Sequence, residues 1–407
     1  MGISEFECLV VGAGPSGAAA AVAAQRAGMS TLLIDAQPPR RDKTCGDGLT
    51  PRAVHTLRRL DLTDVLPPYR NLGLKLHGFG GDVTAPWPDG TFGSEGSAVP
   101  RAQFDASLVD RARTAGATVW HDCPATRVER EQGRISSVET PRGDIRPKWV
   151  IVADGVRSTL GKQLGRVWHR DQVYGIAARS YCESPESNEP WMHSHVELRD
   201  ARGVLQPGYG WIFPLGDGTV NLGCGALSTD ARPAKVNTKA LLAQYAAQQR
   251  AKWGLGPERN VTSALLPMGG AVSNVAGPNW ALVGDAAACV NPLNGEGIDY
   301  GLETAVRAVD LLREGHDLTL AWPHELRRTY GEAFTLARAA ARLLTYPRFL
   351  PAVGPLGMRG AGARFLMPAA ARLMGNLVTP EDTDLIARAW RAAGRAVPTG
   401  RALWDPS

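Results

Sequence analysis

The sequence predicts an α/β fold: a largely parallel sheet flanked by helices, an antiparallel sheet inserted into it, and a helical C-terminal region. Three observations carry this. A buried strand, a glycine-rich turn, a helix and a second strand follow one another between Glu7 and Asp35. A further strand, turn and helix run from Trp280 to Leu312, so the pieces of one sheet lie far apart in the chain. The stretches 75–100 and 170–275 show strand-like alternation and turns, as an inserted sheet requires.

At 407 residues and 44% hydrophobic composition, the chain can bury the core of one or two closely packed domains. Forty-six glycines and 29 prolines suit many tight strand connections. The net charge of +5 is modest, and no Lys/Arg run is interleaved with aromatics, so nucleic acid is not an expected partner. Six cysteines stand singly without C-x-x-C spacing, which argues against zinc, an iron–sulfur centre or disulfides, and for a reducing compartment. No metal is expected. The first ten residues carry no basic leader, and no stretch reaches the roughly 18 apolar residues needed to cross a bilayer.

Glu7–Val11 reads as the first strand, Ala18–Gly28 as an alanine-rich helix, and Thr31–Ile34 as the second strand, ending at Asp35. Between strand and helix stands Gly12-Ala13-Gly14-Pro15-Ser16-Gly17. In a dinucleotide site the first glycine makes the tight turn, the second lets backbone approach a pyrophosphate, and the third permits close helix–strand packing. The helix N-terminus then offers unpaired N–H groups to the phosphates, and Asp35 falls where an acid accepts from ribose hydroxyls. This unit alone does not separate FAD from NAD.

Trp280–Val283 reads as another strand, running into Gly284-Asp285 and then Asn291-Pro292-Leu293-Asn294-Gly295-Glu296-Gly297, with a helix from Ile298 to Leu312. Val150–Val152 leads into Asp154-Gly155. Asp42-Lys43-Thr44-Cys45-Gly46-Asp47-Gly48 and Gly208-Tyr209-Gly210-Trp211-Ile212-Phe213-Pro214 complete the informative segments. Alternation places Tyr209, Trp211 and Phe213 on one side of a strand, as a cavity wall or as ordinary sheet core.

Taken together these motifs resemble the geranylgeranyl reductase family of FAD-dependent oxidoreductases over nearly the whole chain, with the menaquinone-reducing branch most similar. The resemblance implies an FAD-binding Rossmann-like domain with an inserted antiparallel-sheet substrate domain, of the para-hydroxybenzoate hydroxylase type. The FAD domain is expected at 1–74, 101–169 and 276–322, the substrate domain at 75–100 and 170–275, and a helical, membrane-associating region at 323–407. It further implies that Asp285 contacts the ribityl chain, that the loop with Gly295 and Gly297 approaches the isoalloxazine, that Asp154 belongs to the cofactor architecture, and that Arg101 approaches the flavin. An N-cap role for Asp285 and a surface role for Arg101 are the plain alternatives.

The implied reaction is saturation of an isoprene double bond of the menaquinone side chain by hydride and proton, with Cys45, Tyr209 and Trp211 at the chemistry. Cys45, Tyr209 and a bound water are the candidate proton donors. Glu296 is less suited if its loop role is structural, and an incidental buried cysteine is the plain reading of Cys45. Other isoprenoid lipids or diphosphates are alternative substrates, aromatic monooxygenation is the alternative chemistry, and flavin-dependent lipid binding without turnover is the non-enzymatic one. Phe213 in place of isoleucine speaks against a halogenase. No second glycine fingerprint supplies a nicotinamide domain, so NADPH or another electron donor would dock transiently.

From Ala333 to Val378 the chain has arginines but no acidic residue, with abundant Leu, Met and Phe interrupted by proline and glycine. Short helices are expected there, lying peripherally on the anionic, cytoplasmic face of a membrane, or simply capping the substrate domain.

Overall fold

A computed structural model describes residues 4–397 and 401–405. Two large sheets carry the fold. The first runs Ala276–Gly277, Trp280–Leu282, Gly143–Val152, Ser4–Val11, Thr31–Ile34, Thr118–Trp120 along its main path, with two further strands appended through Arg134–Thr140. Ser4–Val11 is parallel to both neighbours. Cys8, Leu9 and Val10 are wholly buried because helices cover both faces, which is why this strand ends in an unbroken apolar run. The helix Pro15–Arg26 buries Ala18, Ala19, Ala20 and Ala21, small side chains that let Arg101–Thr114 and Ile298–Arg313 pack closely against it.

The register decides where a ligand can sit. Val11 pairs with both Val152 and Ile34, and Val152 pairs with Leu282, so four strands end together. Gly12, Asp35, Asp154 and Asp285 therefore follow side by side at the carboxyl edge of the sheet, the position where open α/β sheets bind ligands.

The second sheet has seven strands in the order Arg259–Pro267, Tyr174–Glu183, Thr219–Ser228, Gly208–Pro214, Met192–His195, Gly73–Gly78, Gly81–Pro86. All pairs are antiparallel except Met192–His195 with Gly73–Gly78. One face is covered by the helix Thr238–Trp253, where Ile212 and Leu222 join Leu241, Leu242 and Tyr245. The other face carries Tyr209, Trp211 and Phe213, with successive ring centroids 5.8 and 6.3 Å apart, in a cluster that includes Met358, Ala371 and Leu377 of the C-terminal region. Gly210 points the opposite way, where a Cβ would lie 2.6 Å from the Tyr245 ring.

The C-terminal region is helical; the stretch from Ala333 to Val378 begins inside a long helix and continues in the expected short ones. Leu318–Leu344 is one continuous helix of 27 residues despite Pro323. Its buried residues Trp322, Leu326, Tyr330, Phe334, Ala337 and Ala341 recur every three or four positions, a stripe continuous enough to override one early proline. Trp322 is fully buried and its Nε1 donates to Leu282 O at 2.8 Å, tying this helix to the first sheet. Beyond it the helices are short: Phe349–Met358, Met367–Met374 and Leu385–Ala396, with a π-helical piece at Gly362–Leu366. Leu356, Phe365 and Leu366 are exposed by more than half. Among the described residues, no helix is long and apolar enough to cross a membrane.

Candidate cofactor and substrate site

The glycine turn is fixed by its surroundings. Gly12 has φ +105°, and a Cβ there would lie 2.3 Å from Ala153 O. A Cβ on Gly17 would lie 1.7 Å from Gly12 O, so the third glycine lets the helix seat on its own turn. Gly14 is different: an added Cβ meets only the tips of Arg41 and Arg101, at 3.5 and 3.9 Å. That leaves an open, cation-flanked space before the helix that starts at Pro15, the shape and charge a pyrophosphate requires. Ser16 packs between backbone pieces, since a Cβ at Gly284 or Gly301 would come within 2.3 or 2.4 Å of its Oγ.

Asp35 accepts from Ala13 N at 2.6 Å and from Gln37 N at 2.8 Å, so it braces the turn while facing the same cavity. Asp154 accepts from Ser158 Oγ at 2.6 Å and Leu160 N at 2.9 Å, holding the loop after its strand. Arg101 is almost wholly buried and grips Asp105 with two bonds of 2.8 Å. Burial would push the Asp285 carboxyl up, but Lys43 at 2.8 Å brings it below the usual carboxylate range. Arg166 donates to Ala286 O at 2.6 Å and leaves its buried Nη2 without a protein partner. Burial lowers that guanidinium to about 10, partly offset by Asp154 and Asp285.

The cysteine loop lies across the cavity wall. Thr44 Oγ1 donates to Thr262 Oγ1 at 2.9 Å, Arg179 donates to Lys43 O at 2.9 Å, and Asn221 Nδ2 donates to Cys45 O at 2.8 Å. Each partner stands on the second sheet. Burial pushes the Cys45 thiol up to about 11, Arg101 opposing, so at neutral pH it keeps its proton. The Tyr209 hydroxyl donates to Asn294 O at 2.7 Å, joining the aromatic strand to the loop that carries Gly295 and Gly297. Burial and the nearby Glu296 also raise its pKa. Glu296 itself is raised by burial and by Asp299, while its carboxylate accepts from Ile298 N at 3.1 Å.

One cavity of about 1190 Å³ joins these pieces. Its lining includes Gly12, Gly14, Pro15, Ser16 and Asp35, then Arg101, Asp154, Asp285, Gly295 and Gly297, and also Cys45, Tyr209 and Trp211. Gly17 alone of the expected site residues lies behind the lining, in its packing role. The sequence reading gave no individual role to Lys43, Asp47, Arg166, Arg179, Tyr181 or Asn221. Lys43 and Asp47 sit inside a motif already singled out. Arg166, Arg179 and Tyr181 carry no local signal, because their partners are distant in the chain.

A cradle for a dinucleotide, opening without interruption onto an aromatic-walled pocket, places this protein among FAD-dependent oxidoreductases. A family model described as FAD binding domain matches residues 5–315. The chain is 52% identical over 396 residues to menaquinone reductase of Mycolicibacterium smegmatis, covering 96% of each chain. It is 51% identical to menaquinone reductase of Mycobacterium tuberculosis, over 96% of this chain and 95% of that one. A digeranylgeranylglycerophospholipid reductase of Methanopyrus kandleri is 28% identical, over 84% of this chain and 87% of the relative. With the first two at that identity and coverage, the chain belongs to the geranylgeranyl reductase family, in its menaquinone reductase branch. The fold is also that of a geranylgeranyl bacteriochlorophyll reductase-like protein of Thermoplasma acidophilum: TM-score 0.76, 20% identity, 96% of this chain and 100% of that one. A flavin-dependent brominase shares the fold at TM-score 0.72 and 17% identity, covering 96% and 98%.

The seating of Gly17 on Gly12 gives a direct check on the cradle. Gly17→Ala is expected to be purified with little or no bound flavin, as read by visible absorbance, while far-ultraviolet circular dichroism stays near that of the parent. Full flavin retention would contradict the packing described.

Proposed function

We propose that the protein saturates one isoprene double bond of the menaquinone side chain, adding a hydride and a proton across it. The observation that carries this reading is the continuity of the cofactor cradle with a pocket walled by Tyr209, Trp211 and Phe213 and edged by Cys45. A polyprenyl chain offers no polar handle, so its recognition rests on apolar burial against such a wall. The 52% identity to a menaquinone reductase supports the quinone over other isoprenoid lipids or diphosphates.

The cradle fits FAD: Gly14 and the start of the helix at Pro15 would hold the pyrophosphate, Asp35 a ribose, Asp285 the ribityl chain, and the Gly295–Gly297 loop the ring. Arg101 would stand beside the ring, and Asp154 would hold its loop against the cofactor. When bound, reduced FAD supplies the hydride. The chain supplies the rest. An unconjugated alkene accepts a proton more readily than it accepts hydride alone, because positive charge can form on the more substituted carbon. The faces of Tyr209 and Trp211 stabilise that charge. Cys45 is the proton donor in this reading: it lines the cavity and keeps its proton at neutral pH. Its S–H bond breaks as the new C–H bond forms, and the Asp47 N–H at 3.4 Å and the Arg101 charge receive the thiolate until solvent restores the proton. Tyr209 is less available, since its hydroxyl is committed to Asn294 O.

We retain the partition into an FAD domain at 1–74, 101–169 and 276–322, a substrate domain at 75–100 and 170–275, and a C-terminal region at 323–407. The last is read as a peripheral membrane contact on the cytoplasmic side. Leu356, Phe365 and Leu366 are exposed beside Arg359 and Arg364, a pairing of apolar and basic groups suited to an anionic lipid surface. The electron donor, NADPH or another carrier, is external to the chain.

Chemically reduced enzyme, incubated without oxygen with menaquinone, is expected to yield a product heavier by two hydrogens. Cys45→Ser should retain FAD and lose turnover by about a hundredfold, the scale of a lost general acid. Product formed only from a geranylgeranyl lipid or diphosphate would overturn the quinone assignment, and oxygen incorporation in air would favour a monooxygenase. For the surface, the protein should sediment with anionic, menaquinone-containing liposomes at low salt, and Leu356→Ser/Phe365→Ser/Leu366→Ser should remain in the supernatant. Equal sedimentation of the two would contradict the lipid contact.

A further inference from the structure

We propose that Asp47 is a positioning residue for this reduction: its buried carboxylate, acting through Asn221, holds Cys45 and Trp211 at fixed places on the cavity wall. The proposal rests on the reductase reading above, and one arm of its test does not.

Asp47 is wholly buried, does not line the cavity, and adopts φ +63°, a left-handed conformation that is strained for most side chains. Its Oδ2 accepts from Tyr181 Oη at 2.6 Å and from Asn221 Nδ2 at 2.8 Å. The same Asn221 Nδ2 donates to Cys45 O, and its Oδ1 accepts from Trp211 Nε1 at 2.9 Å. Asn221 thus ties the cysteine backbone, the tryptophan ring and the Asp47 carboxylate together. The backbone of Asp47 closes the arrangement: its N–H reaches Cys45 Sγ at 3.4 Å, and its carbonyl accepts from Val99 N at 3.0 Å. Arg179 lies 4.5 Å from the centroid of the Tyr181 ring, fixing the second donor to the carboxylate.

A glycine at this position would relieve the strain and remove the desolvation cost, since Oδ1 has no partner in the protein. The carboxylate is explained if it does work that glycine cannot. Charge-assisted acceptance at Oδ2 is stronger than acceptance by a neutral group, so it restrains Asn221, and through it both groups at the alkene.

The same geometry implies a pH dependence. Burial pushes the Asp47 carboxyl up to about 6, with Tyr181, Asn221, Arg179 and Arg101 opposing. Above that pH the carboxylate is ionised and the restraint is at full strength; below it, Oδ2 becomes the oxygen of a neutral acid and the restraint weakens. Turnover should therefore fall as pH drops through about 6, although protons become more abundant. Of the groups facing Asp47, Tyr181 and Cys45 are raised by burial, away from this range, and Arg179 and Arg101 present positive charge. Glu296 acts on Cys45 from the cofactor loop, and the variants below separate its titration from that of Asp47.

The test uses the FAD-loaded protein with Asp47→Asn and Asp47→Gly, the latter well suited to the positive φ. Expected is a kcat lowered about tenfold in Asp47→Asn, the ratio that about 1.4 kcal/mol of lost restraint produces, with no inflection near pH 6. Asp47→Gly should lose more, with KM for the lipid and flavin retention unchanged in both. Independently of turnover, alkylation of Cys45 by iodoacetamide at pH 8, followed by mass spectrometry, should be about tenfold faster in Asp47→Gly than in Asp47→Asn, both of which lack the charge that raises the thiol. If the parent reduces no isoprenoid, the functional reading fails while the alkylation arm still judges the restraint. An Asp47→Asn profile that keeps the inflection, or equal alkylation rates in Asp47→Gly and Asp47→Asn, overturns the proposal.

Discussion

The loop from Asp42 to Gly48 is tied to both large sheets at once, and the geometry of the cavity depends on that tie. At one side Lys43 pairs with Asp285, which follows a strand of the parallel sheet. At the other, Arg179, Asn221 and Thr262 reach the loop from three strands of the antiparallel sheet. The loop lines the cavity while running close against the antiparallel sheet. Glycines at 46 and 48 allow this closeness: a Cβ on Gly46 would meet the Phe213 ring at 3.0 Å, and one on Gly48 would meet Met192 at 2.3 Å. A short, polar-anchored loop is thus pressed between an apolar wall and a charged edge, and burial costs are met by hydrogen bonds at almost every step.

The parallel sheet was legible because its signals are local. A glycine turn between a strand and a helix reads the same wherever it occurs, and Gly12, Gly14 and Gly17 declare three separate steric needs. The aromatic strand was legible through period-two alternation, which the structure keeps by turning Ile212 toward the covering helix. What could not be read were partners set by topology. Arg179 meets the site because strands distant in sequence are brought into register, Arg166 from the turn after Thr159–Gln163, and nothing in their neighbourhoods marks them. The full length of Leu318–Leu344 could not be read for a related reason: the buried stripe from Trp322 to Ala341 gains its force from the sheet and helix it packs against.

The division of labour within the cavity follows from charge. The cavity lining gathers Arg41, Lys43, Arg101 and Arg166 as well as aromatic and aliphatic side chains. In the proposed reading the cations face an anionic dinucleotide and the apolar wall an uncharged isoprenoid. Flavoproteins with other chemistries share this fold, the brominase among them, so the fold alone does not set the chemistry.

The most direct measurement is a crystal structure of the FAD complex with a menaquinone analogue bound. The account predicts one double bond of the chain lying against the Tyr209 and Trp211 rings, with Cys45 Sγ and the flavin ring on its two sides at roughly 3–3.5 Å, the separation of reacting atoms in a near-attack arrangement. A chain seated elsewhere, with Cys45 turned away from every double bond, would contradict it.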